Sequence, residues 1–270
     1  MIAKRRFLEF LAVVSMAAMV AMWPAGVSAS SGGVIEPGAC PNFPNPDDVQ
    51  CSDNKGVIKS GACTGFQACA DNGRIIKEDA CGGGQSCTNN EAFIGRGACN
   101  GILSCMWNSG KIQRNACSGA NSCNTNMGKI DRDSCSATNS CSDNEGKILS
   151  DTCHGSGACV GNEGWIGKSS CMGTGACVGN TGVIRSGSCN ADGACVDNVG
   201  IVGRNSCNDA GDCVGNDRGQ KRLERYRKYK DHFSKWSNRG RGHKHGHDRG
   251  RRHGNKHFIY EKKWWDKYAD

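Results

Sequence analysis

The sequence predicts an all-β protein: a disulfide-laced β-solenoid (β-helix) of about ten 18-residue coils, followed by a basic helix and a disordered tail. Three observations predict the solenoid. From Cys51 onward the gaps between cysteines alternate between 12 and 6 residues, glycine accounts for 39 of 270 residues, and one aliphatic position recurs in each repeat. A strict short period indicates stacking, because a unit that cannot bury its own apolar side is covered by its neighbour. The glycine content disfavours a helical repeat and suits short strands joined by tight turns.

We number the 18 positions of the repeat from its first cysteine, so that the second cysteine is position 7. Position 10 is asparagine in all ten units, and position 14 is isoleucine from Ile58 to Ile184 and valine at Val202. We expect position 14 to point inward as an aliphatic ladder, with small residues at positions 6 and 18 lining a narrow interior. Glycines at positions 3 and 12 would supply positive φ or a close backbone approach. Asparagine tolerates the left-handed conformation, so position 10 is expected at a turn, where ten aligned residues would form a ladder.

We expect the two cysteines of each coil to be oxidised to disulfides. Each coil buries only one large aliphatic residue, and secreted folds with so small a core are commonly stabilised by disulfides. Pairing positions 1 and 7 within a coil is favoured because each unit is then self-contained. Like positions on adjacent coils, about 4.8 Å apart, could also be bridged. Zinc sites usually space thiolates as CxxC, so no metal or cofactor is predicted. The twenty cysteines are Cys40, Cys51, Cys63, Cys69, Cys81, Cys87, Cys99, Cys105, Cys117, Cys123, Cys135, Cys141, Cys153, Cys159, Cys171, Cys177, Cys189, Cys195, Cys207 and Cys213.

Residues 1–29 are typical of a secretory signal peptide. Positive residues from Lys4 to Arg6 precede an apolar stretch from Phe10 to Met22, and small residues end at Ala29. The apolar stretch is short for a membrane span of about 20 residues, so cleavage near Ala29 is preferred to an uncleaved anchor. We therefore expect a secreted, extracellular protein that begins near Ser30, with the Cys-rich β-solenoid at residues 30–216.

The repeat resembles two groups of proteins. Its C-x5-C spacing with small residues beside cysteine resembles the disulfide-braced β-helices of insect antifreeze proteins, which have shorter coils and a regular Thr-x-Thr face. The unit [AS]-C-x2-N-x-G-x-I-x3-[AS]-C is more similar to Cys-rich tandem repeats in predicted secreted proteins of algae and other microbes. The resemblance covers about residues 33–216 and implies the fold rather than an activity.

The C-terminal region has two parts. Residues 217–237 are predicted to form a basic amphipathic helix that caps the open end of the solenoid or lies on a membrane or polyanion surface. Its apolar stripe is Leu223, Tyr226, Tyr229, Phe233 and Trp236. Residues 238–270 form a basic His/Arg/Gly-rich tail that closes with aromatic residues, and the stretch to Asn255 is expected to be disordered. Alternating histidines such as His243 and His245 would make only a weak, unselective metal site.

Charge asymmetry suggests a function. Residues 217–270 carry 18 basic and 7 acidic side chains, residues 1–29 carry 3 and 1, and the remainder carries 13 and 18, so the net charges are +11, +2 and −5. We expect a non-catalytic structural or binding protein whose tail attaches to acidic polysaccharide or another anionic surface, with nucleic acid not the main partner. The predicted polyanion-binding residues are Arg239, Arg241, Arg249, Arg251 and Arg252. The alternatives are a β-helix enzyme acting on polysaccharide, for which the acids are scattered, and an ice-binding protein, for which no threonine column exists.

Overall fold

The computed structural model describes residues 32–41 and 50–218, which form an all-β parallel solenoid whose coils follow the 18-residue repeat. Nine two-residue strands follow one another: β1 (Val34–Ile35), β2 (Val57–Ile58), β3 (Ile75–Ile76), β4 (Lys111–Ile112), β5 (Lys129–Ile130), β6 (Lys147–Ile148), β7 (Trp165–Ile166), β8 (Val183–Ile184) and β9 (Ile201–Val202). Paired strands run parallel and come from successive coils, so the sheet follows the length of the stack. The described residues contain no helix.

The described stack holds eight regular turns. Position 13 marks them, because it recurs once per coil at Val57, Ile75, Phe93, Lys111, Lys129, Lys147, Trp165, Val183 and Ile201. A longer first turn, from Val34 in β1 to Val57 in β2, precedes them. The figure of about ten coils therefore stays a prediction. Several predicted features lie outside the described residues: the predicted signal peptide at 1–29, most of the predicted helix at 217–237, the predicted tail at 238–270 and residues 42–49 of the first loop.

The predicted aliphatic ladder is confirmed as the core of the solenoid. Isoleucine at position 14 is fully buried in every coil from Ile58 to Ile184, and Val202 continues the column at 2% exposure. Small residues such as Ala68 and Ala80, at positions 6 and 18, are fully buried beside it. The interior is narrow because each coil contributes one large aliphatic side chain, two small ones and a disulfide.

Residues with left-handed backbone lie at positions 1, 5, 9 and 17 of the coils. The prediction that the asparagine at position 10 adopts this conformation is therefore wrong. Position 9, one residue earlier, has positive φ throughout, for example 55° at Asp71 and 56° at Asp143. The asparagine instead turns inward, where its amide has bonding partners inside the stack. Glycines at positions 3 and 12 serve close approach rather than positive φ. A Cβ on Gly83 would lie 2.2 Å from the carbonyl oxygen of Gly101 in the next coil.

Position 12 decides how completely adjacent coils pair. Where it is glycine, its N–H reaches the asparagine carbonyl of the next coil, as Gly110 does to Asn126 at 2.9 Å. Arg74 and Ala92 occupy this position in two early coils and do not make that bond among the described residues. The sheet divides in the same region into a three-stranded and a six-stranded part. Ile94, two residues after Ala92, joins the parts through isolated bridges only.

The peptide between positions 6 and 7 changes direction halfway along the stack. The N–H of Cys123 donates to the Ser104 carbonyl of the preceding coil at 2.6 Å, whereas that of Cys141 donates to Ala158 of the following coil at 2.8 Å. Cys141 accordingly has a φ of 59°, as do its later equivalents with similar values. The carbonyls of Ser122 and Ser140 therefore face each other. Among the described residues neither accepts a backbone hydrogen bond.

Candidate functional site

The predicted asparagine ladder is confirmed, and it is part of the scaffold. The Nδ2 of Asn126 donates to the Oδ1 of Asn108 at 2.8 Å, and Asn144 donates to Asn126 in the same way. Asparagines from Asn54 to Asn198 are fully buried. A buried amide that is already bonded to both neighbours has no capacity left for a ligand. Binding residues must therefore come from the outward positions of the coils.

The twenty cysteines form ten disulfides, all within coils and none between them. The pairs are Cys40–Cys51, Cys63–Cys69, Cys81–Cys87, Cys99–Cys105, Cys117–Cys123, Cys135–Cys141, Cys153–Cys159, Cys171–Cys177, Cys189–Cys195 and Cys207–Cys213. In three places the sulfurs of three cysteines lie within 4.8 Å of one another. Those sulfurs are bonded in disulfides and are not thiolate ligands, since the described residues include no free cysteine.

A groove opens where positions 9 to 11 of four successive coils meet the surface. It encloses about 460 Å³. We call it the acidic groove. Its lining residues are Asp53, Lys55, Asp71, Asn72, Gly73, Asn89, Glu91, Trp107, Asn108 and Ser109. Position 11 alternates between Lys55, Gly73, Glu91 and Ser109, and the two small residues leave the surface concave. The sequence predicts that residues 18 apart lie in one column, but it does not show which outward column is concave, so the groove was not predicted.

Trp107 is the unusual residue of the acidic groove. It has a φ of 61°, a left-handed conformation that bulky side chains rarely adopt. Position 9 is otherwise Asp, Asn, Thr or Gly in this chain, types that tolerate the conformation better or are smaller. The backbone N–H of Trp107 donates to the Thr88 carbonyl of the preceding coil at 3.0 Å, and this bond between coils holds the backbone in place. Trp107 is 55% exposed, so the groove lining includes a solvent-accessible aromatic side chain as well as carboxylates and amides.

The acidic groove has the chemistry of a sugar-binding surface. An indole ring offers an apolar face, while Asp71, Asn89 and Glu91 offer acceptors and donors for hydroxyl groups. Ligand sites generally combine an aromatic or apolar wall with a few polar groups that fix orientation. Its lining carries three carboxylates and one lysine, so it disfavours polyanions and suits a neutral ligand.

A second surface is the outward side of the sheet, which we call the position-13 face. From β1 to β9 its residues are Val34, Val57, Ile75, Phe93, Lys111, Lys129, Lys147, Trp165, Val183 and Ile201. Three lysines thus lie between two apolar stretches. The Lys111 ammonium lies 5.3 Å from the centroid of the Phe93 ring, and Lys129 pairs with Asp131 at 2.9 Å.

The surroundings of Lys147 disfavour its charged form. Burial lowers its pKa below the ordinary value by disfavouring the charged form, and the like charge of Lys129 on the neighbouring coil lowers it further. Asp131 acts in the opposite direction. The Lys147 side chain is half-buried, whereas Lys111 at the same position of another coil is exposed.

The five arginines predicted to bind polyanions, Arg239, Arg241, Arg249, Arg251 and Arg252, lie outside the described residues. Of the basic region at residues 217–270, the structure describes only Asp217 and Arg218, at the C-terminal end of the solenoid. In the described residues no helix is long and apolar enough to span a membrane.

Comparisons with known proteins give one match. Residues 44–158 match the model of a family described as "Domain of unknown function (DUF7640)". The match covers less than half of the chain and spans the coils that contain the acidic groove and the three lysines. No curated protein and no solved structure matches the chain.

Proposed function

We propose that this chain is a secreted, non-catalytic protein: a rigid rod of about ten disulfide-braced coils whose basic tail attaches to acidic polysaccharide or another anionic surface. The observation that carries the proposal is the charge asymmetry, +11 in residues 217–270 against −5 in residues 30–216. An anionic polymer is attracted to the tail and repelled by the body, so the rod is held at one end. The same tail would attach to a membrane surface that carries anionic lipids.

An oxidising compartment is consistent with the ten disulfides, because such bonds persist outside the cytosol. Secretion itself rests on the residues before Ser30. Mass analysis of the secreted chain should find a mature N-terminus near Ser30. Retention of residues 1–29 on the secreted chain would refute the signal-peptide prediction.

The test of the tail measures how tightly the native full chain and a tail variant bind immobilised heparin and immobilised alginate. Replacing Arg239, Arg241, Arg249, Arg251 and Arg252 by glutamine should lower the affinity roughly tenfold or more, since each exposed charge contributes a fraction of a kcal/mol. Screening over about 8 Å at 0.15 M salt should make binding weaken steeply as salt rises.

The matched control removes five charges from the solenoid instead. Arg74, Arg96, Arg114, Arg132 and Lys168 are exposed and can be replaced by glutamine together. This variant should bind nearly as tightly as the native chain. If it loses as much affinity as the tail variant, the tail is not the attachment site and the proposal is wrong.

The acidic groove favours a second candidate function, the binding of a neutral sugar chain by the solenoid. The supporting observation is Trp107, which is 55% exposed in a groove that three carboxylates also line. Trp107→Ala should abolish binding of neutral oligosaccharides on a glycan array, whereas Ile102→Ala, another exposed apolar residue at 62%, should not. A native chain that binds no neutral glycan would refute this function without affecting the tail.

A further inference from the structure

Two outward-facing residues of the position-13 face, Trp165 and Val183, are buried, whereas the other described residues at this position are exposed or half-buried. Val34 and Ile75 are 57% and 40% exposed at this position. Trp165 and Val183 are each only 3% exposed. Val57 and Val183 are the same residue type at the same position of interior strands, yet Val57 is only half-buried, so side-chain size does not explain the difference. Something covers the coils of β7 and β8.

Neighbours on the same face do not provide that cover. Trp165 and Val183 pack with Leu149 and Ile201, which come from adjoining coils. Neighbouring side chains on one side of a sheet contact the edges of an outward residue but leave its top in solvent. Complete burial of an indole requires a further segment lying over it. Lys147, one coil from Trp165, is half-buried and burial lowers its pKa, so partial shielding from solvent reaches β6.

The chain leaves the solenoid beside this surface. The N–H of Ile201 donates to the carbonyl of Arg218 at 2.6 Å, so Arg218 occupies the next coil below β9. Residue 219 would be the next position 13. Three coil spacings, about 14 Å, separate that point from the level of Trp165. The 52 residues that follow Arg218 can reach it without strain.

The first part of that segment has a matching apolar stripe. Residues 222–236 place Leu223, Tyr226, Tyr229, Phe233 and Trp236 at helical spacing. As a helix, the 14 residues from Leu223 to Trp236 would be about 21 Å long, enough to pass over about four coils. An apolar stripe of this kind is stable when it is buried against an apolar surface.

We infer that residues 222–236 fold back along the side of the solenoid and bind the position-13 face over Trp165, Val183 and Ile201. This places the segment on the side of the rod rather than across its open end. The arginines proposed to bind polyanion begin only at Arg239, so the docked segment leaves them accessible. The inference goes beyond the proposed function and does not depend on it.

Hydroxyl-radical footprinting of the full secreted chain tests the inference. Trp165 should be oxidised roughly tenfold more slowly than Trp107, in keeping with exposures of 3% and 55%. Replacing Tyr229, Phe233 and Trp236 by serine should remove most of that protection while the ten disulfides stay intact on peptide mapping. Val183→Asp should do the same, whereas Val34→Asp, at the same position of an exposed coil, should leave Trp165 protected.

Four results would overturn the inference. The first is a Trp165 that reacts as fast as Trp107 in the native chain, and the second is protection that survives the triple serine variant. The third is loss of protection when Phe258, Tyr260 and Trp264 are replaced instead, which would make the last aromatic residues the occupant. The fourth is protection that disappears on dilution, which would make a second copy of the chain the cover.

Discussion

The Nδ2 of Asn72 donates a 2.8 Å hydrogen bond to the Oδ1 of Asn54, eighteen residues earlier in the chain and directly above it in the stack. The same Nδ2 also donates to the carbonyl of Arg74 at 2.8 Å. One amide therefore links two coils and closes the turn of its own coil. The ladder is uncharged because side-chain amides are neutral, and every rung has the same direction because each Nδ2 donates to the asparagine of the preceding coil.

Removing one rung of the ladder should be costly. Asn126→Ala leaves the Oδ1 of Asn108 without its donor in a buried site and removes one of the two bonds of the Asn144 Nδ2, which keeps its 3.3 Å bond to the Gly146 carbonyl. Unfolding free energy should fall by about 1–3 kcal/mol, the cost of one buried unsatisfied group. Chemical denaturation measures this. Asn124→Ala, two residues away and half-buried, should change stability by less than about 0.5 kcal/mol. Equal effects would mean that the ladder does not stabilise the fold.

Substitutions at position 12 should show whether its glycines are needed for the close approach of adjacent coils or for backbone flexibility. A Cβ on Gly128 would lie 2.1 Å from the Gly146 carbonyl oxygen, so Gly128→Ala should lower the unfolding free energy by about 1–3 kcal/mol. Ala92→Gly, the reverse change in a coil that already accommodates a Cβ, should alter stability by less than about 1 kcal/mol. Thermal unfolding monitored by circular dichroism compares the two. A harmless Gly128→Ala would show that coil spacing relaxes freely.

A central disulfide should matter more than a terminal one. Replacing Cys117 and Cys123 by alanine opens a seven-residue loop and should cost about 2 kcal/mol by loop entropy. The Cys207–Cys213 loop has the same length but lies in the last described coil, where both cysteines are partly exposed. Its removal should loosen that coil with a smaller effect on global unfolding. Identical losses in denaturant titrations would contradict this, because stability in a repeat stack depends on nearest neighbours.

Lys147 should make stability depend on pH at the alkaline end. Its pKa in the folded chain is below the ordinary value of 10.5, so the unfolded chain binds the proton more tightly between the two values. Stability should therefore rise with pH across that window. Lys147→Met should stabilise the protein at neutral pH by less than about 1 kcal/mol, and the gain should shrink as pH approaches 10.5.

The control for Lys147 is Lys111→Met, at the same position of an exposed coil. It should give no stabilisation at neutral pH, because that lysine is solvated and lies over the Phe93 ring. If both variants gain the same unfolding free energy across the pH range, the partial burial of Lys147 is not the reason for the stabilisation.

The positive φ at position 17 could have been found in the sequence. Position 17 is Gly, Asp, Asn or Ser in every coil, for example Gly61, Asp79 and Asn115. Glycine, aspartate and asparagine are the types that best tolerate left-handed backbone. The asparagine that recurs at position 10 tolerates the same conformation, and it favoured the wrong prediction for that position. The neighbouring Asp71 has the positive φ, and Asn72 turns inward.

The sequence by itself determined the period, the inward isoleucine column and the asparagine ladder, because an 18-residue repeat places identical residues above one another in any stack. It also favoured pairing within coils, such as Cys63 with Cys69, without excluding bridges between coils. Only the tertiary structure decided which outward columns form surfaces. Asp53, Asp71 and Trp107 line one groove, and Val183 is buried while Val34 is exposed, because these outcomes depend on what lies across and above each coil rather than on the residue type.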